Sequence, residues 1–298
     1  MMRRVRELDG ALRWARAATR RSLSGPTTAC ASSDREMPEL PEVETVRREL
    51  TKLRGGRIVS VVSDDTRVLD RRVDPEGRTI RDVDRRGKWL RFVLDRGAIF
   101  SHLGMTGDWT IHAPSAPALP FERVRMDVRR GSRVLSARYT DPRRFGRFVA
   151  AAEDIDAWRD LGPDPWLEGI DESRVLSVMK RRKRAVKAVL LDQALLAGVG
   201  NILAVEALWN AAIDPRAPAP TMTARDVRAI ARGLRAIIAR TIAFDEKMAR
   251  GGHGAKPPFR VYGRAGQACR RCGTTLRQIV LAGRGTAFCP GCQKRHAP

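Results

Sequence analysis

The chain has 298 residues, with 57 Lys and Arg against 34 Asp and Glu, for a formal net charge of +23. That length accommodates two domains, a hydrophobic content of 43% excludes wholesale disorder, and the longest uncharged runs, such as 193–205, fall short of the ~20 apolar residues that span a bilayer. The cation excess points to a polyanionic partner, nucleic acid first, because each neutralised phosphate releases condensed counterions; a merely Arg-rich surface is the reading that charge alone leaves open.

Residues 1–36 stand apart, with eight Arg, four acids and a Ser/Thr/Pro/Gly stretch over 22–33. They read as a removable leader or as translation from an upstream start, with Met37 the true initiator. From Leu40 the apolar positions Leu40, Val43, Val46, Leu50 and Leu53 recur at steps of three and four until Gly55-Gly56, which predicts one amphipathic helix. The period then shortens. Segments 57–63, 79–84, 88–95, 98–103, 122–129 and 133–139 are β-branched or alternating, with turns at 95–97 and 130–132, which predicts a sandwich of two sheets.

Pro163 and Pro165 mark a linker, after which helices are predicted over 171–180, 185–196, 201–211 and 223–243, the last opened by the capping-box-like Thr223-x-x-Asp226. Between the second and third lies Ala197-Gly198-Val199-Gly200-Asn201, where two glycines allow a tight approach of the backbone to another chain and Asn201 can cap the following helix. Residues 245–260, rich in Gly and Pro, predict a mobile loop.

Four of the five Cys fall near the end of the chain, as Cys269-x-x-Cys272 and Cys289-x-x-Cys292 separated by 16 residues. Each pair makes a tight knuckle, and the stretch between returns the second pair to the first. The spacing predicts one structural Zn²⁺ held by Cys269, Cys272, Cys289 and Cys292. A disulfide framework is the weaker reading, since no clean secretory signal and cleavage site precede the domain.

Six segments in register carry a resemblance: 37–45 (MPELPEVET), 102–107 (HLGMTG), 139–146 (YTDPRRFG), 198–201 (GVGN), 261–264 (VYGR) and the four-Cys module. Together, from Met37 to about Lys294, they resemble bacterial formamidopyrimidine-DNA glycosylases, whose architecture is shared by the endonuclease VIII enzymes. The resemblance implies an α+β multidomain fold. Its parts are an N-terminal catalytic β-sandwich with a flanking helix over 37–150, a linker over 151–167, a helix-two-turn-helix domain with a lesion-capping loop over 168–260, and a zinc finger over 261–298. Residues 1–36 are then an extension outside the active enzyme.

The implied activity is a bifunctional DNA glycosylase/AP lyase on oxidised purines in duplex DNA. Its nucleophile is the secondary amine of an N-terminal proline, which the resemblance assigns to Pro38. If any residue precedes Pro38, its nitrogen is a tertiary amide with no usable lone pair, so the active species is expected to begin there. The resemblance makes Glu39 the catalytic acid, places Glu42 in the lesion pocket, gives Lys88 the phosphate beside the lesion and a part in elimination, and makes Arg284 the finger arginine. Such an enzyme flips its target and fills the gap: Met105 and Phe145 match the wedges and Arg143 the contact to the orphaned base. His102, Asn201, Tyr262 and Arg264 complete the expected DNA contacts.

The resemblance also implies a one-to-one complex with DNA containing oxidised bases or abasic sites, no membrane association, and a bacterial, cytoplasmic setting. Two features look closer to endonuclease VIII: the short 245–260 segment, and Gln193 where many 8-oxoguanine enzymes carry Asn. An oxidised-pyrimidine glycosylase is therefore one rival, and a non-catalytic binder of damaged DNA, if residues 1–37 are retained, is the other.

Overall fold

A computed structural model describes residues 37–63, 65–249, 251 and 256–294. The expectations attached to residues 1–36, and part of the predicted capping loop at 252–255, lie outside these residues. Helix α1 (Leu40–Leu50) carries Pro41 in its first turn, where a missing N–H costs nothing, and two arginines in its last. It ends in a short 3₁₀ turn before Gly55, which has φ +79°.

Nine strands follow: β1 (Arg57–Val62), β2 (Leu69–Arg71), β3 (Ile80–Arg86), β4 (Trp89–Leu94), β5 (Ala98–His102), β6 (Asp108–His112), β7 (Glu122–Arg130), β8 (Arg133–Thr140) and β9 (Arg147–Ala151). They form the expected two sheets, in the orders β1-β7-β8-β6 and β2-β9-β5-β4-β3. Every pairing within these two sheets is antiparallel except β2 with β9. Strand β4 buries alternate residues, as a period of two requires. The two inner faces meet over Ile58, Val83, Phe92, Trp109, Met126 and Phe148. Strands β2, β6 and β9 escaped the sequence reading.

The short helix α2 (Asp156–Arg159) packs Trp158 on Phe100 and Val149 of the sandwich, whereas α3 (Glu172–Arg181), α4 (Val186–Leu190), α5 (Asn201–Asn210) and α6 (Ala224–Ala249) build the second core, and β10 (Arg277–Leu281) pairs with β11 (Arg284–Phe288) in the final hairpin. Two expectations are corrected. The helix expected over 185–196 stops at Leu190, because the Gln193 side chain organises a turn instead: its Oε1 accepts from Gly198 N at 2.9 Å and its Nε2 donates to Val199 O at 2.8 Å. The loop expected from residue 245 begins later, because past Phe244 the chain meets no Gly or Pro until Gly251 and α6 stays helical to Ala249. The box at its start forms, with Thr223 N donating to Asp226 Oδ2 at 2.8 Å.

Helix α1 belongs to both cores. Leu40 packs among the helices, whereas Val43 and Leu50 pack into the sandwich. Beside it lies a buried ionic network. Arg85 of β3, fully buried, donates from Nε to Glu44 of α1 at 2.9 Å and from both terminal nitrogens to Asp164, which follows the sandwich. Asp164 also accepts from Gly87 N at 2.8 Å, and Arg85 Nη1 donates to Gly87 O at 3.0 Å, so both backbone groups of that turn are fixed. Burial works against the Glu44 charge, but hydrogen bonds from Arg47, Arg85 and Arg48 hold its carboxyl down at about 2.

Removing one member of such a network strands the others without water. Arg85→Met is expected to cost about 3–5 kcal/mol in urea unfolding, and much of that loss should return in a Glu44→Gln, Asp164→Asn background. An equal loss in both backgrounds would contradict the network account.

Candidate active site

The N-termini of α1 and α5 meet. Pro38 is half-buried immediately before Glu39, the residue that caps α1. Glu39 is 3% exposed, and its carboxylate accepts from Gly200 N at 3.2 Å, Ile202 N at 2.8 Å and Leu203 N at 3.0 Å. The first N–H groups of a helix have no partner within it and carry its positive end, so a carboxylate is the group suited to them. Glu39 N in turn donates to Glu42 Oε2 at 3.1 Å, half of a capping box.

Lys88 arrives from the opposite side on the β3–β4 turn. A Cβ on Gly200 would lie 2.3 Å from the Glu39 carboxyl carbon and 2.7 Å from Lys88 Nζ, so Gly200 keeps open the space in which the two charged groups sit. The approach that the paired glycines were expected to permit is made to this chain's own backbone. Gly198, at φ +88°, packs on Gly87, where a Cβ would fall 2.9 Å from the Gly87 Cα, and its carbonyl accepts from Leu40 N at 3.2 Å.

Burial pushes Glu42 up to about 8, aided by the nearby charges of Asp245 and Glu39, so at neutral pH it is a carboxylic acid able to donate a hydrogen bond. Burial likewise pushes His102 down to about 4, helped by Lys88 and Arg147. Its Nδ1 accepts from Gly104 N at 3.0 Å, which leaves the proton on Nε2 of a neutral ring.

Met105 lies in the β5–β6 turn, and Arg143 and Phe145 lie in the β8–β9 turn. Phe145 is 52% exposed, and the Arg143 guanidinium carbon stands 5.0 Å from its ring centre. The two turns touch through Gly104, where a Cβ would fall 2.6 Å from Gly146 N.

A third group gathers on α5. Asn201, 1% exposed, donates from Nδ2 to Gly285 O at 3.0 Å, tying α5 to the final hairpin. Glu206, fully buried, accepts from the backbone N–H groups of Arg260, Val261 and Tyr262 at 2.7–2.9 Å. Tyr262 is half-buried, edge-on to Phe259. Arg264 commits its guanidinium to Arg260 O, Gln267 Oε1 and Ala268 O, so in this structure it braces its own turn. Arg284 is exposed at the start of β11 and lines a groove of about 490 Å³ with Arg182 and Arg184.

The four cysteine sulfurs lie within 4.8 Å of one another, at 3.8 Å for Cys269–Cys292 and 3.4 Å for Cys272–Cys289. A tetrahedral zinc with Zn–S bonds of about 2.3 Å sets its sulfurs ~3.8 Å apart, so these residues fit the ion. Backbone N–H groups of Arg271 and Cys292, at 3.4 Å from sulfur, support thiolate charge. Four thiolates close the coordination sphere, which makes the zinc structural.

Several anchors were missed from sequence: Arg85, Asp164, Asp141 and Glu206. Asp141 and Asp164 each had a local signal, since an Asp before Pro caps the turn that follows: Arg143 N donates to Asp141 Oδ1, and Trp166 N and Leu167 N donate to Asp164 Oδ1. Gln193, which sequence singled out only for its residue type, braces the Gly198 turn.

Three family domains match in order: the formamidopyrimidine-DNA glycosylase N-terminal domain over residues 37–148, the formamidopyrimidine-DNA glycosylase H2TH domain over 161–251, and the zinc finger found in FPG and IleRS over 266–295. A formamidopyrimidine-DNA glycosylase of Pseudomonas paraeruginosa is 38% identical over 273 residues, covering 87% of this chain and all of the relative, and one of Geobacillus kaustophilus is 37% identical over 281 residues with the same coverage. Among solved structures, a MutM in complex with DNA containing carbocyclic 8-oxo-G superimposes with a TM-score of 0.77 at 34% identity, covering 87% of this chain and all of that one. A Lactococcus lactis Fpg with abasic-site DNA does so with a TM-score of 0.77 at 33% identity, covering 86% and 100%.

The raised Glu42 pKa has a thermodynamic sign. At low pH the carboxyl is protonated in folded and unfolded chains alike; as pH rises from the ordinary 4.5 through about 8 only the unfolded chain ionises, and stability is lost. Glu42→Gln stays neutral throughout. Its Tm relative to the parent chain should therefore climb between pH 5 and pH 9, and a pH-independent difference would contradict the assignment.

Proposed function

The chain belongs to the formamidopyrimidine-DNA glycosylase family, and from that membership we propose that it is a bifunctional DNA glycosylase/AP lyase of base excision repair, removing oxidised purines from duplex DNA. The observation that carries the reading is the meeting of Glu39 and Lys88 around Gly200, directly beside Pro38.

The amine of Pro38 attacks C1′ of the damaged nucleotide as the base departs, and the nitrogen, being secondary, becomes a cationic iminium. An α-amino group with a pKa near 8 leaves roughly a tenth of the molecules neutral at pH 7, enough for attack. The chemistry therefore calls for an acting chain that begins at Pro38. The iminium acidifies the C2′ proton, and successive β- and δ-elimination expel the 3′ and 5′ phosphates to leave a gap.

Glu39 serves as the acid by relay: its carboxylate takes the proton that the Pro38 nitrogen sheds on bonding to C1′ and delivers it to the ring oxygen as the sugar opens. Lys88, held beside it, takes the adjacent phosphate and assists elimination. Glu42, neutral where a carboxylate would ordinarily be charged, offers a donor to the lesion. His102, as a neutral Nε2–H donor, and Asn201, Tyr262 and Arg284 hold the backbone. Met105 and Phe145 wedge the stack while Arg143 bonds the orphaned base. Residues 37–150 supply the catalytic part and 168–298 the helical and zinc-bearing part of the grip, in a bacterial cytoplasm where the nucleoid is the substrate.

The rival, an oxidised-pyrimidine enzyme, is separated by single-turnover excision from matched duplexes. The proposal expects 8-oxoguanine opposite cytosine to be released at least about tenfold faster than thymine glycol, with Glu39→Gln slowing release by about 10²-fold or more. A reversed preference, or full activity in Glu39→Gln, would overturn it.

A further inference from the structure

Three inserted side chains must enter the duplex together, yet they ride on two turns separated in sequence: 103–107 carries Met105, and 141–146 carries Arg143 and Phe145. One buried side chain joins them. Asp141 is fully buried. Its Oδ1 accepts from Thr106 Oγ1 at 2.6 Å, on the first turn, and from Arg143 N at 3.1 Å, on the second. Its Oδ2 accepts from Gly146 N at 2.8 Å. The Thr106 hydroxyl also accepts from Arg143 N at 3.3 Å, closing a ring between the turns.

Packing leaves the turns little freedom to separate. Gly104, at φ +67°, is pressed backbone to backbone against Phe145 and Gly146. A Cβ on Gly107 or Gly146 would fall 2.0 or 1.7 Å from the Tyr139 hydroxyl, which donates to Leu103 O at 3.1 Å. The Asp141 backbone is itself anchored to the entry of β7: its N donates to Phe121 O at 3.0 Å, and its O accepts from Arg123 Nε at 2.9 Å. The hub therefore stands on the β7–β8 pair.

We propose that Asp141, acting with Thr106, is a positioning residue that couples the Met105 turn to the Arg143–Phe145 turn, so that wedge and orphan-base contact enter DNA as one rigid unit. The proposal rests on the reading of those three side chains as the inserted set. Asp141 is fully buried behind the surface, so it acts only through their placement. A carboxylate can accept from all these donors at once, whereas an asparagine must turn an N–H₂ toward at least one N–H, and Thr106→Val removes the hydroxyl bridge without touching Asp141.

The test is stopped-flow fluorescence with 2-aminopurine beside a lesion, which reports the insertion step. It is read alongside kcat/KM on the lesion duplex, strand cleavage at an abasic site in a single-stranded oligonucleotide, and Tm. Thr106→Val and Asp141→Asn are expected to slow the insertion phase and lower kcat/KM on duplex by about tenfold or more, since ångström-scale misplacement has costs of that order. Single-strand cleavage by Thr106→Val should stay within about twofold of the parent chain, and Thr106→Ser should restore insertion. If Asp141→Asn does not fold, the Thr106 pair carries the test. Insertion at the parental rate in Thr106→Val, or an equal loss on single strands, would overturn the coupling. If the parent chain shows no insertion phase on a lesion that it excises, the reading of the inserted set fails first and takes the coupling with it.

Discussion

The arrangement depends on one carboxylate bound to the end of one helix. Glu39 begins α1, and its oxygens accept from three of the N–H groups that open α5. The sandwich and the helical core thus meet through a charge-assisted contact of fixed direction. That contact holds Glu39 against α5, and Pro38 is the residue bonded directly before it. Lys88 is brought to the same place by a different route, the Arg85–Asp164 network that holds Gly87 by both its N–H and its carbonyl.

Helix α5 acts as the spine for the rest. Its first residue, Asn201, reaches the final hairpin at Gly285, and its middle residue, Glu206, gathers three successive N–H groups at the entry to the cysteine module. The two buried glutamates do the same chemistry in opposite directions: Glu39 brings a carboxylate to the helix, and Glu206 sends one out from it. The zinc-bearing hairpin, the α5 N-terminus and the start of α1 are therefore registered to one rigid element. On the other side of the site, His102 feels the charge of Lys88 and holds Gly104 N at the base of the Met105 turn.

Much of this was legible in the sequence because it was local. The 3–4 spacing of Leu40, Val43, Val46 and Leu50 gave α1; alternation gave most strands; the two Cys-x-x-Cys pairs gave the zinc. What could not be read depends on partners far apart in the chain. Arg85 and Asp164 are 79 residues apart and Arg260 and Glu206 are 54 apart, and a lone charged residue carries no mark of its partner. Residues 185–196 misled because their apolar pattern suits a helix, while a single side chain, Gln193, closes a turn there. Strand β9 was missed although it follows directly on the 139–146 motif and its Phe148 and Ala150 bury completely. The placement of individual site residues was legible only through the resemblance, since Glu39, Lys88 and Met105 look ordinary by themselves.

The charge excess that first suggested nucleic acid persists without the Arg-rich start: residues 1–36 carry a surplus of four, so the chain from Pro38 keeps +19. The same boundary governs the chemistry, since an amine bonded to a preceding carbonyl cannot form an iminium. The most direct measurement is borohydride trapping on an 8-oxoguanine duplex, comparing the 298-residue chain with one that begins at Pro38, followed by mass spectrometric mapping of the adduct. The account predicts a covalent adduct only from the shorter chain, on the nitrogen of Pro38. An adduct of equal yield from the full chain with residue 1 intact, or one mapped to Lys88, would contradict it.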